Sequence, residues 1–128
     1  MFKVIVAGSR NFCDYELLKR KLMFLLKNKL KNDVEIISGG AKGADYLGER
    51  FAKENGYNLR IFKANWNKYG KKAGPIRNTE MVEYADALVA FWDGKSKGTA
   101  HIIDFADFNC LDIRVIYFDG ERHLKLNN

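Results

Sequence analysis

Three short stretches of this chain combine glycine, hydroxyl and cation, the set with which proteins hold phosphate without a metal. The first is Gly8-Ser9-Arg10-Asn11. The second runs Ser38-Gly39-Gly40-Ala41-Lys42-Gly43-Ala44-Asp45, and the third runs Trp92-Asp93-Gly94-Lys95-Ser96-Lys97-Gly98-Thr99. Bare backbone at Gly39, Gly40, Gly43 and Gly98 lets N–H groups approach an anion, and a helix starting there adds favourable partial charge. Glycine is also ordinary punctuation between strand and helix, so one such loop alone says little. Neither G-x-G-x-x-G nor a complete P-loop motif occurs, which sets aside the common dinucleotide fingerprint and the P-loop NTPases.

A fourth stretch, residues 64–75, mixes Trp66 and Tyr69 with Lys68, Lys71 and Lys72, and leads into Arg77 and Asn78. It is longer than the ~2–6 residues of an ordinary strand-to-helix turn. Trp66, Tyr69 or Trp92 offers a face on which a base could stack, and Arg77 and Asn78 offer donors to a phosphate or ribose. Asp45 and Asp93 are the carboxylates placed to accept from ribose hydroxyls.

The elements that position these loops alternate along the chain. Strands are expected at Phe2–Ala7, Val34–Ser38, Asn58–Phe62, Ala87–Trp92 and Ile113–Phe118, each a short apolar run bounded by turn residues. Asp14 caps a first helix whose Leu18, Leu22, Leu25, Leu26 and Leu30 form a stripe. A second helix carries Ala44, Leu47, Phe51 and Ala52 and ends at Gly56 as a left-handed cap. Pro75 suits the first turn of a third, and Thr99 caps a fourth bearing Ile102, Ile103, Ala106 and Cys110. The expectation is an α/β Rossmann-like three-layer sandwich, with a five-stranded parallel sheet in order 3-2-1-4-5 and helices on both faces. In that order all four loops of interest fall at the carboxyl edge, where such folds bind ligands at the switch point. Glycine-rich loops converging on one edge favour a ligand over punctuation.

Composition bounds the rest. The 128 residues, 47% hydrophobic with one proline, suit one domain over 1–120 followed by a polar tail, 121–128. Two cysteines, Cys13 and Cys110, make no disulfide framework or zinc motif and read as small apolar side chains in a cytoplasmic protein. No His/Cys/Asp cluster has metal-site spacing, so the one route for a divalent ion is to arrive on a ligand's phosphates. No apolar run reaches the ~20 residues of a membrane span. The net charge of +6 is unevenly spread: residues 1–33 carry 8 basic and 3 acidic side chains, residues 85–128 only 5 and 7. Part of the surplus lies on the first helix, while Arg10, Lys42, Lys71, Lys72, Arg77, Lys95 and Lys97 gather at one sheet edge. That pattern suits a compact anion better than a nucleic acid.

The ordered strings GSR, SGGAKGAD, W-x-x-YGKKAGPIRNTEM and FWDGKSKGTAH resemble the YspA-type, cpYpsA-related branch of the SLOG superfamily, from Val4 to about Phe118. That superfamily also contains the SMF/DprA proteins and the LOG phosphoribohydrolases. The resemblance implies a Rossmann-like domain that binds nucleotides or nucleotide-derived molecules. The LOG hydrolytic motif reads P-G-G-x-G-T-x-x-E, with a partner arginine on the preceding helix. Arg77 matches that arginine and Gly98-Thr99 the Gly-Thr, but Ile102 stands where the glutamate should. An aliphatic side chain neither activates water nor stabilises an oxocarbenium-like centre, so hydrolysis would need a substitute among Asp45, Glu49 and Asp93.

The leading expectation is therefore a nucleotide-like ligand: ADP-ribose-like, a nucleoside phosphate or a cyclic nucleotide. Phosphate would meet Gly8-Ser9-Arg10, Gly39 to Gly43 and Ser96 to Thr99. The domain would sense, sequester or process it. LOG-type hydrolysis of an N-glycoside is the alternative, and single-stranded nucleic-acid binding like that of DprA the next. The leucine stripe of the first helix and the Leu111–Phe118 edge are the surfaces on which a homodimer would form. His101, one turn inside the fourth helix near the same edge, could donate to a phosphate, although a lone histidine more often caps or packs.

Overall fold

In the first strand, β1 (Phe2–Gly8), Val4 and Val6 face one side of the sheet while Ile5 and Ala7 face the other. That two-residue period divides the core into two layers. The computed structural model describes residues 1–118. Its further elements are α1 (Tyr15–Leu25), β2 (Val34–Ser38), α2 (Ala44–Asn55), β3 (Asn58–Ile61), α3 (Trp66–Tyr69), α4 (Ala73–Tyr84), β4 (Ala87–Trp92), α5 (Lys97–Phe108) and β5 (Asp112–Tyr117). The strands pair in parallel in the order β3-β2-β1-β4-β5. This is the Rossmann-like α/β sandwich expected from the alternating pattern.

Helices α1 and α2 cover one face through Leu18, Leu22, Phe51 and Ala52, packed on Val4, Val6, Ile36 and Val89. Helices α4 and α5 cover the other through Met81, Val82, Ile102 and Ala106, packed on Ile5, Ile37, Leu88 and Ala90. Both faces of the central strands are thereby dry, which is why they read as continuous apolar runs. Among the described residues no helix is long and apolar enough to cross a membrane.

Several local expectations change. The α1 stripe stops at Leu26, which caps the helix; Leu30 lies beyond it in extended backbone and is 69% exposed. The chain must turn there to enter β2. Residues 64–75 are not an open loop, because the Asn65 side chain accepts from the Lys68 amide at 3.1 Å and caps α3. A 3-10 turn, Gly70–Lys72, then leads into α4, with Pro75 in its first turn, where no intrahelical partner for its nitrogen is needed. Ser96, not Thr99, caps α5: its hydroxyl accepts from the Thr99 amide, and Thr99 is buried inside the first turn. Cys110 falls after α5 with φ of 61°, and both cysteines are exposed rather than packed in the core. The polar tail expected after Gly120 lies outside the described residues.

Candidate functional site

The strand order reverses direction between β1 and β4, and the loops leaving their carboxyl ends are bound tightly to each other. Ser9 donates its amide to the Phe91 carbonyl (2.9 Å), and its hydroxyl accepts from the Asp93 amide (3.2 Å). A Cβ on Gly8 would stand 2.1 Å from the Phe91 oxygen, so no other residue fits between these strands. At Gly43 the backbone takes φ of 78° and a Cβ would meet the Ser9 carbonyl at 2.3 Å, which brings the start of α2 against the β1 loop. Ser9 and Gly43 are thus structural: they fix the floor of a cleft without lining it.

That cleft has two adjoining lobes. The inner lobe, a cavity of about 320 Å³, lies over the switch point and is lined by Ala7, Gly8, Asp45, Asn78, Met81, His101 and Ile102, with Ser96 to Thr99 at the start of α5. The outer lobe, about 400 Å³, lies over Gly39 to Lys42 and is lined by Lys42 and Lys63. Arg10, Ala41, Trp66 and Arg77 border both. Trp66, half exposed, rests an edge near Gly74 and stands between the lobes.

The loop after β2 is built around a buried carboxylate. Asp45, 5% exposed in the first turn of α2, accepts from the amides of Gly39 (3.2 Å) and Ala41 (3.5 Å). The Ser38 hydroxyl accepts from the Gly40 amide (3.0 Å) and donates to Glu49 (2.6 Å). These N–H groups therefore point inward, against the expectation that they would face an anion. Burial pushes the Asp45 carboxyl up to about 6, although the nearby Arg77 cation and the two amides pull it down. Arg77 donates through Nη1 to the Gly39 carbonyl and through Nε to Asn78 Oδ1 (2.9 Å). Its own burial, with Arg10 nearby, lowers its pKa against the opposing pull of Asp45.

The loop after β4 is organised by Asp93, whose Oδ1 accepts from the amides of Lys95 and Ser96, both at 2.9 Å. Hydrogen bonds to those amides hold its carboxyl below the usual range. Trp92 donates Nε1–H to the Ser96 carbonyl (3.0 Å) and packs on Tyr117, bracing the loop from behind. The first amides of α5, at Lys97 and Gly98, have no acceptor within the helix. Both residues border the inner lobe, and a Cβ on Gly98 would meet nothing within 4 Å. Packing thus gives no reason for glycine there.

Of the residues expected at the site, Gly8, Arg10, Gly39, Gly40, Ala41, Lys42, Asp45, Trp66, Arg77, Asn78, Ser96, Gly98 and Thr99 border the cleft. Trp92, Asp93 and Gly94 do not border either lobe, nor do Lys71, Lys72 and Lys95. Base stacking on Trp92 and ribose binding by Asp93 lose their geometric basis, because one side chain braces the loop and the other is engaged by its amides. The sequence reading missed Lys63 and Met81. Lys63 follows β3 at the carboxyl edge and Met81 lies one helical turn after Arg77, so both signals were present. Among the described residues, no group of three His, Cys, Asp or Glu side chains converges to hold a metal.

Residues 2–69 match the model of the YspA, cpYpsA-related SLOG family. The chain is also similar to the Gene 61 protein of Mycobacterium phage D29, at 36% identity over 107 residues covering 79% of this chain and 85% of that protein. No solved structure gives a significant match. The matched segment contains the β1 and β2 loops that form the floor and outer lobe, and on this ground the chain belongs to the YspA, cpYpsA-related SLOG family.

Proposed function

We propose that this domain binds a nucleotide or nucleotide-derived ligand across the two lobes of the carboxyl-edge cleft, as a sensing, sequestering or processing module. The observation that carries the reading is the pairing of unlike lobes. Lys42 and Lys63 line the outer lobe alone and give it cations for phosphate, while Ala7, Met81 and Ile102 give the inner lobe an apolar wall, with Arg10 and Arg77 shared between the two. Trp66 offers an aromatic face between them. The open space at Gly98, beside the first amides of α5, supports a second point of anion contact. Thermal shift with AMP, NAD, ADP-ribose and cyclic dinucleotides tests this: at least one raises Tm, and the rise shrinks in Lys42→Ala/Lys63→Ala. No stabilisation by any of them at millimolar concentration counts against the reading.

A second reading, hydrolysis of an N-glycoside, is favoured by Asp45 alone. It borders the inner lobe, and a carboxyl near 6 suits proton transfer at neutral pH. Glu49 is engaged by Ser38, and Asp93 is held by its loop, so Asp45 is the substitute carboxylate best placed for that role. Chromatography for free base after incubation with AMP, NAD and ADP-ribose decides it. Turnover absent in wild type, or unchanged in Asp45→Asn, rejects it.

A further inference from the structure

His101 sits near the start of α5 and borders the inner lobe. Its Nδ1 lies 3.4 Å from Nδ2 of Asn78, which is itself 7% exposed. The direction of that contact is fixed one residue away. A guanidinium has only donors, so Arg77 Nε, 2.9 Å from Asn78 Oδ1, must donate to it. The amide is thereby oriented with its NH2 toward His101, and an NH2 group has only protons to offer. Nδ1 must accept, and the proton of the neutral imidazole then resides on Nε2. Arg77 also donates to the Gly39 carbonyl, which ties this relay to the loop after β2. The Phe105 ring lies nearly parallel to the imidazole, 3° between planes at 6.3 Å, on the same helix. Nε2 has no acceptor among the described residues.

We infer that Asn78 locks His101 in the Nε2–H tautomer, and that this N–H is the neutral donor through which the inner lobe recognises an acceptor atom of its ligand. Asn78 is then a positioning residue and His101 a specificity residue. The second half of the inference rests on the nucleotide-ligand reading; the first half concerns the free protein. A neutral donor in an apolar-walled lobe suits a base ring nitrogen or sugar oxygen, and it also suits a phosphoryl oxygen. All three are acceptors, and only the choice of probe separates them.

The test begins without ligand. Nitrogen NMR of the His101 ring at pH 8 is expected to show the Nε2–H tautomer in the wild type and a mixture in Asn78→Ala. Titration calorimetry with ADP-ribose follows. His101→Ala and Asn78→Ala are expected to weaken binding about three- to tenfold, the range of one neutral hydrogen bond. His101→Gln, whose amide N–H reaches the place of Nε2, is expected to restore most of it. Adenosine, ribose and inorganic phosphate tell which acceptor is met: a phosphoryl oxygen if phosphate loses affinity in His101→Ala, a sugar oxygen if adenosine and ribose both do, and a base nitrogen if adenosine alone does. An Nδ1–H or mixed tautomer in the wild type overturns the lock. ADP-ribose binding as tight in His101→Ala as in wild type overturns the donor role. If ADP-ribose fails to bind the wild type, the ligand reading and the donor role both fall for that compound, while the NMR result still decides the lock.

Discussion

Asp45 and Asp93 do the same local work with opposite electrostatic outcomes. Each follows a carboxyl-edge strand, and each accepts from two backbone amides of its own loop. Asp45 is buried in the first turn of α2 and its carboxyl rises to about 6; Asp93 stays partly open to water and its carboxyl falls below the usual range. Amide hydrogen bonds favour the anion in both places. Only at Asp45 does desolvation outweigh them, even with Arg77 beside it. The comparison separates a carboxylate poised in the cleft from one that shapes a loop, although the two look alike in sequence.

The glycines of these loops divide in the same way, and they give the largest expected effect. Gly43→Ala combines a φ of 78° with a Cβ 2.3 Å from a carbonyl, so about 3 kcal/mol or more of stability should be lost in urea unfolding. Gly98→Ala meets open space, so its stability should stay within about 0.5 kcal/mol of wild type, while any nucleotide-induced Tm rise is reduced. Equal stability losses in the two variants would remove the distinction between a structural and a ligand-facing glycine.

Asp45→Ala comes next. It leaves the Gly39 and Ala41 amides without their acceptor and Arg77 without its counter-charge, and should cost about 2–3 kcal/mol, read by the same unfolding measurement. Asp45→Asn keeps an acceptor and, at pH 8, removes the burden of a buried anion. It should be at least as stable as wild type there. A large loss in Asp45→Asn at pH 8 would mean that the ionised carboxylate, and not its shape, holds the loop.

The pH dependence sharpens the same contrast. The folded protein holds the Asp45 proton up to about 6, above the ordinary 3.8, so the folded state binds more protons across that window. Stability then declines as pH rises from about 4 to 6, by up to about 3 kcal/mol, and levels off above. Asp45→Asn should flatten that decline. At Asp93 the folded carboxyl is lowered, so its contribution is present above the unfolded value and is lost as pH falls through the folded one. Asp93→Asn should lose that contribution at neutral pH and flatten the acid limb. A modest loss is expected from Trp92→Phe, which removes one hydrogen bond to Ser96 and should cost about 1 kcal/mol without changing the cleft lining.

Much of the fold was legible because its signals are local. The β-branched run Val4-Ile5-Val6 reads as a buried strand with no help from its neighbours, and Asp14 and Gly56 mark helix ends by their own chemistry. Legibility failed where a choice depended on a distant partner. Thr99 and Ser96 are both plausible caps by residue type, and the backbone path after β4 decided for Ser96. Trp66 and Trp92 were equal candidates for stacking. Trp92 is engaged by the Ser96 carbonyl and Tyr117, whereas Trp66 stands half exposed over the cleft.

By itself the sequence determined the alternation of strand and helix, the parallel sheet and the edge on which the glycines, hydroxyls and cations collect. Periodicity, caps and turn residues act over a few positions, so they can be read along one chain. The tertiary structure alone decided that the Gly39 to Ala41 amides turn inward, that Asp45 is the buried carboxylate and that Asn78 faces His101. Desolvation and hydrogen-bond direction depend on groups from α2, α4 and α5 meeting in space, and no spacing along the chain records which of them water can still reach.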